Sequence, residues 1–274
     1  MGFNFESLRN TMKDYKAINK KFWDHKIPYH VESDFYQMNE FLNGKNVLKP
    51  VELNLLADIK GKSILHLQCH FGLDSLSMAR MGAKVTGIDL SPKAIEKARE
   101  LNEKLGLDAK FQCCDLYETR EHVSDTFDIV FTSFGTIGWL PDLDQWAIVI
   151  KQSLRPDGRL VFIEFHPVVW MFDYDFKSIA YSYFKGDAIV ENSEGTYAAR
   201  DAPLNNTEIS WNHHLSEVFK ALSKKGLSIN HFEEYDYSPH NCFKNMIENK
   251  PGEYMIEKEQ GNLPLMYSLV AKRD

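Results

Sequence analysis

The chain has 274 residues, 43% of them hydrophobic and 26% charged, with a formal net charge of −7 at pH 7. That length can bury one large core, and these proportions exclude a disordered or fibrous chain. The acidic balance sets up no overall field that would gather a phosphate backbone, which makes nucleic acid a poor candidate partner. Four cysteines without repeated Cys-x-x-Cys spacing read as reduced thiols. Met1–Ser7 lacks the basic and apolar regions of a secretion signal, and no apolar run is long enough to span a bilayer, so the expected compartment is the cytoplasm with no membrane partner.

In chain order, residues 1–59 precede the first sheet strand and read as a mostly helical segment. They carry Phe22, Trp23, His30, Phe35, Tyr36 and Phe41, more aromatic surface than a passive tail needs. The segment is read as a lid in which Trp23, His30 and Tyr36 are candidate substrate contacts; aromatics packed on the sheet edge are the alternative. Residues 60–274 form the second unit. It opens with the apolar strand Ile64-Leu65-His66-Leu67, a loop Gln68-Cys69-His70-Phe71-Gly72, a short helix, and a second strand Val85-Thr86-Gly87-Ile88 ending at Asp89. A buried strand, a tight loop opening a helix and an acid about 20 residues on is the layout of a nucleoside-binding βαβ unit. Asp89 is placed to accept both hydroxyls of a ribose.

Ser91-Pro92 then starts a helix whose apolar face is Ala94, Ile95, Ala98, Leu101 and Leu105, with Glu100 and Lys104 at i,i+4 spacing and Gly106 as its stop. Leu143, Trp146, Ala147, Ile150 and Leu154 mark another helix. Arg155-Pro156-Asp157-Gly158 reads as a type I turn into the strand Leu160–Ile163. Strands alternating with helices predict an α/β fold with a doubly wound, mainly parallel sheet covered on both faces. About residues 168–212 the pattern breaks, and a structureless stretch of that length is uncommon, so an insertion with a strand pair or helix of its own is expected there. The formal sequon Asn205-Asn206-Thr207 within it is expected to be a loop. Leu215, Val218, Phe219 and Leu222 resume a helix, begun by His213-His214, ahead of Leu227–Ile229 and Met266–Ala271.

Gln68, His70 and Leu73 stand where a dinucleotide loop carries glycines, and Gly72 remains. Such a loop can pass beside an amino acid and a ribose but crowds a diphosphate, which favours S-adenosylmethionine (SAM) over NAD. The run Ile64–Asp74 resembles the first motif of class I SAM-dependent methyltransferases, in a branch with Leu-Gln-Cys-His-Phe-Gly in place of Asp-x-Gly-x-Gly. Val85–Ser91 resembles the ribose motif, Cys113-Cys114-Asp115-Leu116 the adenine motif, Phe127–Gly135 the fourth strand and Leu154–Leu160 the turn into the fifth. The resemblance implies a Rossmann-like sheet of about seven strands completed by Leu227–Ile229 and Met266–Ala271. It implies SAM as cofactor, held by Gln68, Cys69, His70, Gly72, Asp89, Leu90, Asp115, Leu116 and Ser133.

Methyl transfer from a sulfonium needs alignment and exclusion of water rather than a protein nucleophile. A proton lost by the acceptor could go to His166, with Glu164 beside it, since both follow the fifth strand and residues two apart share a face. The alternative is that Glu164 accepts backbone N–H groups of a loop. His66, Gln68 and His70 alternate with Cys69 on the opposite face, so no metal is expected. The function expected is SAM-dependent methylation of a small-molecule acceptor. The alternatives are a protein or RNA methyltransferase, a NAD(P)-dependent oxidoreductase and a non-catalytic SAM-binding module. Nothing in the sequence bears on oligomeric state.

Overall fold

The computed structural model describes residues 14–274, so the first part of the expected lid and the Met1–Ser7 leader reading lie outside the described residues. Among the described residues three helices, α1 (Tyr15–Glu32), α2 (Met38–Leu42) and α3 (Pro50–Leu56), precede the sheet. Then follow β1 (Ser63–Leu67), α4 (Leu73–Arg80), β2 (Lys84–Asp89), α5 (Pro92–Lys104), β3 (Lys110–Cys113), α6 (Thr119–His122), β4 (Phe127–Ser133), α7 (Leu143–Ser153) and β5 (Leu154–Phe165). The remainder is β6 (Ile189–Glu194), β7 (Asn205–Ser210), α8 (Leu215–Lys224), β8 (Leu227–Tyr235), β9 (Met246–Lys250), β10 (Glu253–Ile256) and β11 (Met266–Arg273). Among the described residues no helix is long and apolar enough to cross a membrane.

Seven strands form one sheet in the order β3-β2-β1-β4-β5-β11-β8. β1 to β5 pair in parallel, and β11 runs antiparallel between β5 and β8. The strands are apolar on both faces because both are covered, and period-two alternation sorts their residues between two cores. Ile64, Ile129, Phe131, Val161 and Ile163 pack with α3, α4 and α5. Leu65, Leu67, Val130, Leu160 and Phe162 pack on the other face with α7 and α8. Strand order reverses between β1 and β4, which opens the crevice at their carboxyl ends where open α/β sheets bind ligands.

α5 forms as its pattern predicts: Ser91 Oγ accepts from Ala94 N at 3.1 Å, Pro92 opens the first turn, and Gly106 follows its end at φ +62°. The surface ion pair on it is Lys97 with Glu100 rather than Glu100 with Lys104. The expected type I turn at Arg155–Gly158 is instead part of β5, which bulges there so that Phe127 pairs with Leu154 and Ile129 with Arg159. Arg155 pairing with Asp128 at 2.8 Å fastens the bulge. The insertion does carry a strand pair, the antiparallel hairpin β6–β7. Asn205-Asn206-Thr207 opens β7 rather than forming a loop. Residues 246–256 add a second hairpin, β9–β10, that the sequence reading lacks.

α1 does not lie on the sheet edge; its neighbours are β7 and α5. Asn19, buried on α1, spans the gap with both ends of its amide: Nδ2 donates to Ile209 O at 2.8 Å and Oδ1 accepts from Ile209 N at 2.9 Å. Asp24 accepts from Ser91 Oγ and from Lys93 N. The helix and the hairpin are therefore joined into one cover above the crevice.

Candidate cofactor and acceptor site

The β1–α4 loop turns tightly because three of its residues adopt positive φ: Gln68 and His70 at +53° and Gly72 at +81°. A non-glycine residue in that region costs about 1–2 kcal/mol, so the loop must be held by its surroundings. Cys69 N donates to Ile88 O at 2.8 Å, Gly72 N to Cys69 O at 2.9 Å, and the Gln68 amide to Thr136 O at 2.9 Å. Gly72 cannot carry a side chain, since a Cβ there would sit 2.9 Å from both Ala98 Cβ and the Phe111 ring. Close approach of helix to strand is what the third glycine of such loops provides.

Asp89 ends β2 facing this loop. Its Oδ2 accepts from His70 N at 2.8 Å and its Oδ1 from Ser91 N at 2.8 Å. Burial pushes its carboxyl up to about 6 against those two hydrogen bonds, which favour the charged form. A carboxylate offers about four acceptor positions, so two remain for a vicinal diol. Gln68 Oε1, on the loop that Asp89 holds, is buried without a partner. Both features fit a nucleoside bearing an amino acid, the shape of SAM. Leu90 lies half-buried next to Asp89, and Cys69, buried, has its thiol pushed well up by burial, so it stays protonated.

Past β3, Asp115 caps the turn at Leu116–Glu118 by accepting from Tyr117 N at 2.9 Å, and Lys16 of α1 pairs with it at 3.1 Å. Leu116 is buried among Leu65, Leu67 and Ile88. Ser133 ends β4 half-buried. The turn after it, with Phe134 at φ +44° and Gly135 at +71°, is fixed by Glu164. That buried carboxylate accepts from Gly135 N, from Thr136 N at 2.7 Å, from Ile137 N at 3.1 Å and from Phe165 N at 2.7 Å. Glu164 is thus a positioning residue, and the expected pairing with His166 does not form. His166 lies past the end of β5, where Nε2 bonds Glu234 Oε1 at 2.9 Å and Nδ1 accepts from Val168 N at 3.2 Å. Burial lowers its pKa despite Glu234, and a neutral ring holding both bonds keeps no lone pair free for a base.

Trp23, His30 and Tyr36 all reach the cofactor loop. His30 Nδ1 lies 3.3 Å from His70 Nε2, and the rings of Trp23 and Tyr36 are each 5.5 Å from that of His70. Burial, then the neighbouring His70 and Lys26 charges, lowers His30 to about 2, and burial lowers His70 to about 3, so both rings are neutral and present aromatic faces. Sequence reasoning missed the opposite wall. Tyr197 of the insertion hydrogen-bonds Tyr36 through the hydroxyls. His240, between β8 and β9, stacks on Phe35 at 5.5 Å and meets Phe134 edge-on at 5.0 Å. Tyr36, Tyr197, His70, His240 and Asp74 are hemmed in by protein yet keep accessible surface, which marks them as lining an internal cleft beside the loop. Glu52 of α3 is buried there with Oε1 unpartnered; burial and then the Asp74 carboxyl raise it to about 8. Among the described residues no group of three His, Cys, Asp or Glu side chains could hold a metal ion.

Residues 64–158, from β1 into the β5 bulge, match the family described as "Methyltransferase domain". Over that segment, which holds the loop and Asp89, the chain carries a methyltransferase domain. Among curated proteins the chain is similar to ubiquinone biosynthesis O-methyltransferase of Aeromonas salmonicida, 31% identical over 153 residues covering 54% of this chain and 58% of that one. The Coxiella burnetii protein of the same name is 31% identical over 120 residues, covering 43% and 50%. The chain therefore spans half to three-fifths of the length of these relatives. Among solved structures, a SAM-dependent methyltransferase from Mesorhizobium loti superposes with a TM-score of 0.57 at 20% identity, covering 85% of this chain and all of that one. One from Clostridium acetobutylicum gives 0.55 at 15%, covering 93% and 98%. These likenesses establish the Rossmann-like fold.

Proposed function

We propose that the protein transfers a methyl group from SAM to a small-molecule acceptor enclosed between the sheet and the α1 and β6–β7 cover. The observation that carries this reading is Asp89, a half-buried carboxylate locked to the loop by His70 N and Ser91 N with acceptor capacity left for a ribose diol. When bound, SAM supplies an electrophilic methyl group on a sulfonium, open to in-line attack by the acceptor. Asp89 would bind the ribose, Gln68 Oε1 would accept from the amino acid's ammonium, and Leu116 and Asp115 would flank the base. Trp23, His30, Tyr36 and Tyr197 would exclude water and set the acceptor's approach. Glu164 acts indirectly, by holding the turn after Ser133. The relatives' name, with its O-methyl transfer, makes a hydroxyl the first acceptor class to test, and an enclosed aromatic cleft favours a small molecule over a protein or RNA chain.

Removing a charged acceptor from paired hydroxyls costs about 1.5–3 kcal/mol. Calorimetry with S-adenosylhomocysteine should therefore show Asp89→Ala binding roughly 10- to 150-fold more weakly than the native chain. In the native chain affinity should fall as pH drops through about 6, where Asp89 takes up a proton. Equal affinity in a folded Asp89→Ala variant would remove the ribose role.

A further inference from the structure

Lys26 is the one lysine or arginine among the described residues that is buried, at 6% exposure. It sits on α1 one turn from both Phe22 and His30, so Phe22, Lys26 and His30 share a face. Its Nζ lies 3.6 Å from the centre of the Phe22 ring, 5.1 Å from Trp23 and 5.8 Å from Tyr197. Among the described residues no carboxylate forms an ion pair with it and no acceptor a hydrogen bond. Ring faces attract an ammonium, and with no acid paired to it the Lys26 charge is left to take an anion. The rings around it are the ones that rest on the cofactor loop: Trp23 on His70, and Tyr197 on His30 at 4.8 Å. His30 Nε2 is itself buried without a partner.

We propose that Lys26 binds the α-carboxylate of the cofactor's amino-acid portion and so fastens the cover helix α1 to bound SAM. The inference rests on the cofactor reading above. The carboxylate is the cofactor's only anionic group, and the cleft has one wall that suits it. On the opposite wall Lys49 is half-buried beside Asp74, whose carboxylate near neutral pH offsets its charge. The groups facing Lys26 are His30 on its own helix, His70 on the loop, Tyr197 from the insertion and Glu208 on β7. Only Glu208 is an acid, and it forms no ion pair with Lys26. Burial, opposed by Glu208, lowers Lys26 to about 8, so at that pH part of the free protein has it neutral. A carboxylate arriving beside it favours the charged form, and binding should take up a proton.

Decarboxylated SAM lacks only the carboxylate and is the discriminating probe. Calorimetry should show the native chain preferring SAM to decarboxylated SAM by about 10- to 100-fold. Lys26→Met should bring the two within about threefold by weakening SAM alone, whereas Lys49→Met should keep the preference. On the native chain, SAM titrations at pH 8 in two buffers of different ionisation heat should show proton uptake. Equal native affinity for both ligands, a preference retained in Lys26→Met, or no proton uptake would overturn the assignment. A native chain that binds neither SAM, decarboxylated SAM nor S-adenosylhomocysteine would instead overturn the cofactor reading.

Discussion

Gln68 and His70 occupy backbone positions that glycine takes in a dinucleotide loop, both at φ +53°, and the neighbours that hold them there were visible in the sequence only in part. The Asp89 carboxylate was. The Gln68 bond to Thr136 and the Trp23, His30 and Tyr36 rings against His70 join segments far apart in sequence, which no local spacing reveals. Gly72 was legible because its need is local: a helix start pressed against Phe111 and Ala98. Gly72→Ala should lower stability by about 1–3 kcal/mol or more, through overpacking and φ strain, measured as a shift in urea midpoint; an unchanged midpoint would mean the packing there is loose. His166 could be picked out by its place after β5, but its partner could not, because Glu234 reaches it from the edge strand β8, 68 residues on. His166→Ala should reduce stability by about 1–3 kcal/mol while leaving S-adenosylhomocysteine affinity unchanged. Glu52 is raised in the fold from about 4.5 to about 8, so the native state holds its proton longer than the unfolded chain. Its stability contribution is present at low pH and is lost as pH rises through about 8. The melting temperature of the native chain should fall between about pH 4.5 and 8, and Glu52→Gln should flatten that fall; parallel curves would show that Glu52 is not the group responsible.

At the scale of elements, α5 and α7 were legible because caps, apolar faces and stops agreed with one another. Arg155–Gly158 misled because its turn composition was met by a bulge: Gly158 lies where a Cβ would be 2.9 Å from Arg155 O and 3.0 Å from Phe127 O, so the glycine serves close strand contact rather than a free turn. The β6–β7 hairpin has an exposed outer row in place of a clean alternation, and its partner is α1, not another strand. Asn19 makes that partnership, its amide bonding both Ile209 N and Ile209 O. Asn19→Leu leaves both groups buried and unpaired, costing about 1–3 kcal/mol each. Hydrogen exchange should then speed up in α1 and β7 together while β1, β4 and β5 keep their protection. Acceleration confined to one of the two elements would show that they do not open as a unit.

Across the whole molecule, one sheet does two jobs at its carboxyl edge. The β1, β2 and β3 ends present the loop, Asp89 and Asp115. The β4 and β5 ends, with Glu164 as their brace, face a cleft roofed by parts of the chain that come before and after the sheet's first five strands. Fold class and cofactor followed from the sequence because the order of strand, loop, acid and strand is set along the chain. The aromatic wall did not, since Tyr36 and Tyr197 meet across 161 residues and His240 arrives from a third segment. The central claim is that this nucleoside site is built for a nucleoside carrying an amino acid and not for a dinucleotide. Titrating the native chain separately with S-adenosylhomocysteine and with NAD tests it most directly. The account predicts one-to-one binding of S-adenosylhomocysteine and far weaker or undetectable binding of NAD, because Gln68 and His70 carry side chains where a dinucleotide loop has glycine. NAD binding as tightly as S-adenosylhomocysteine, or more tightly, would contradict it.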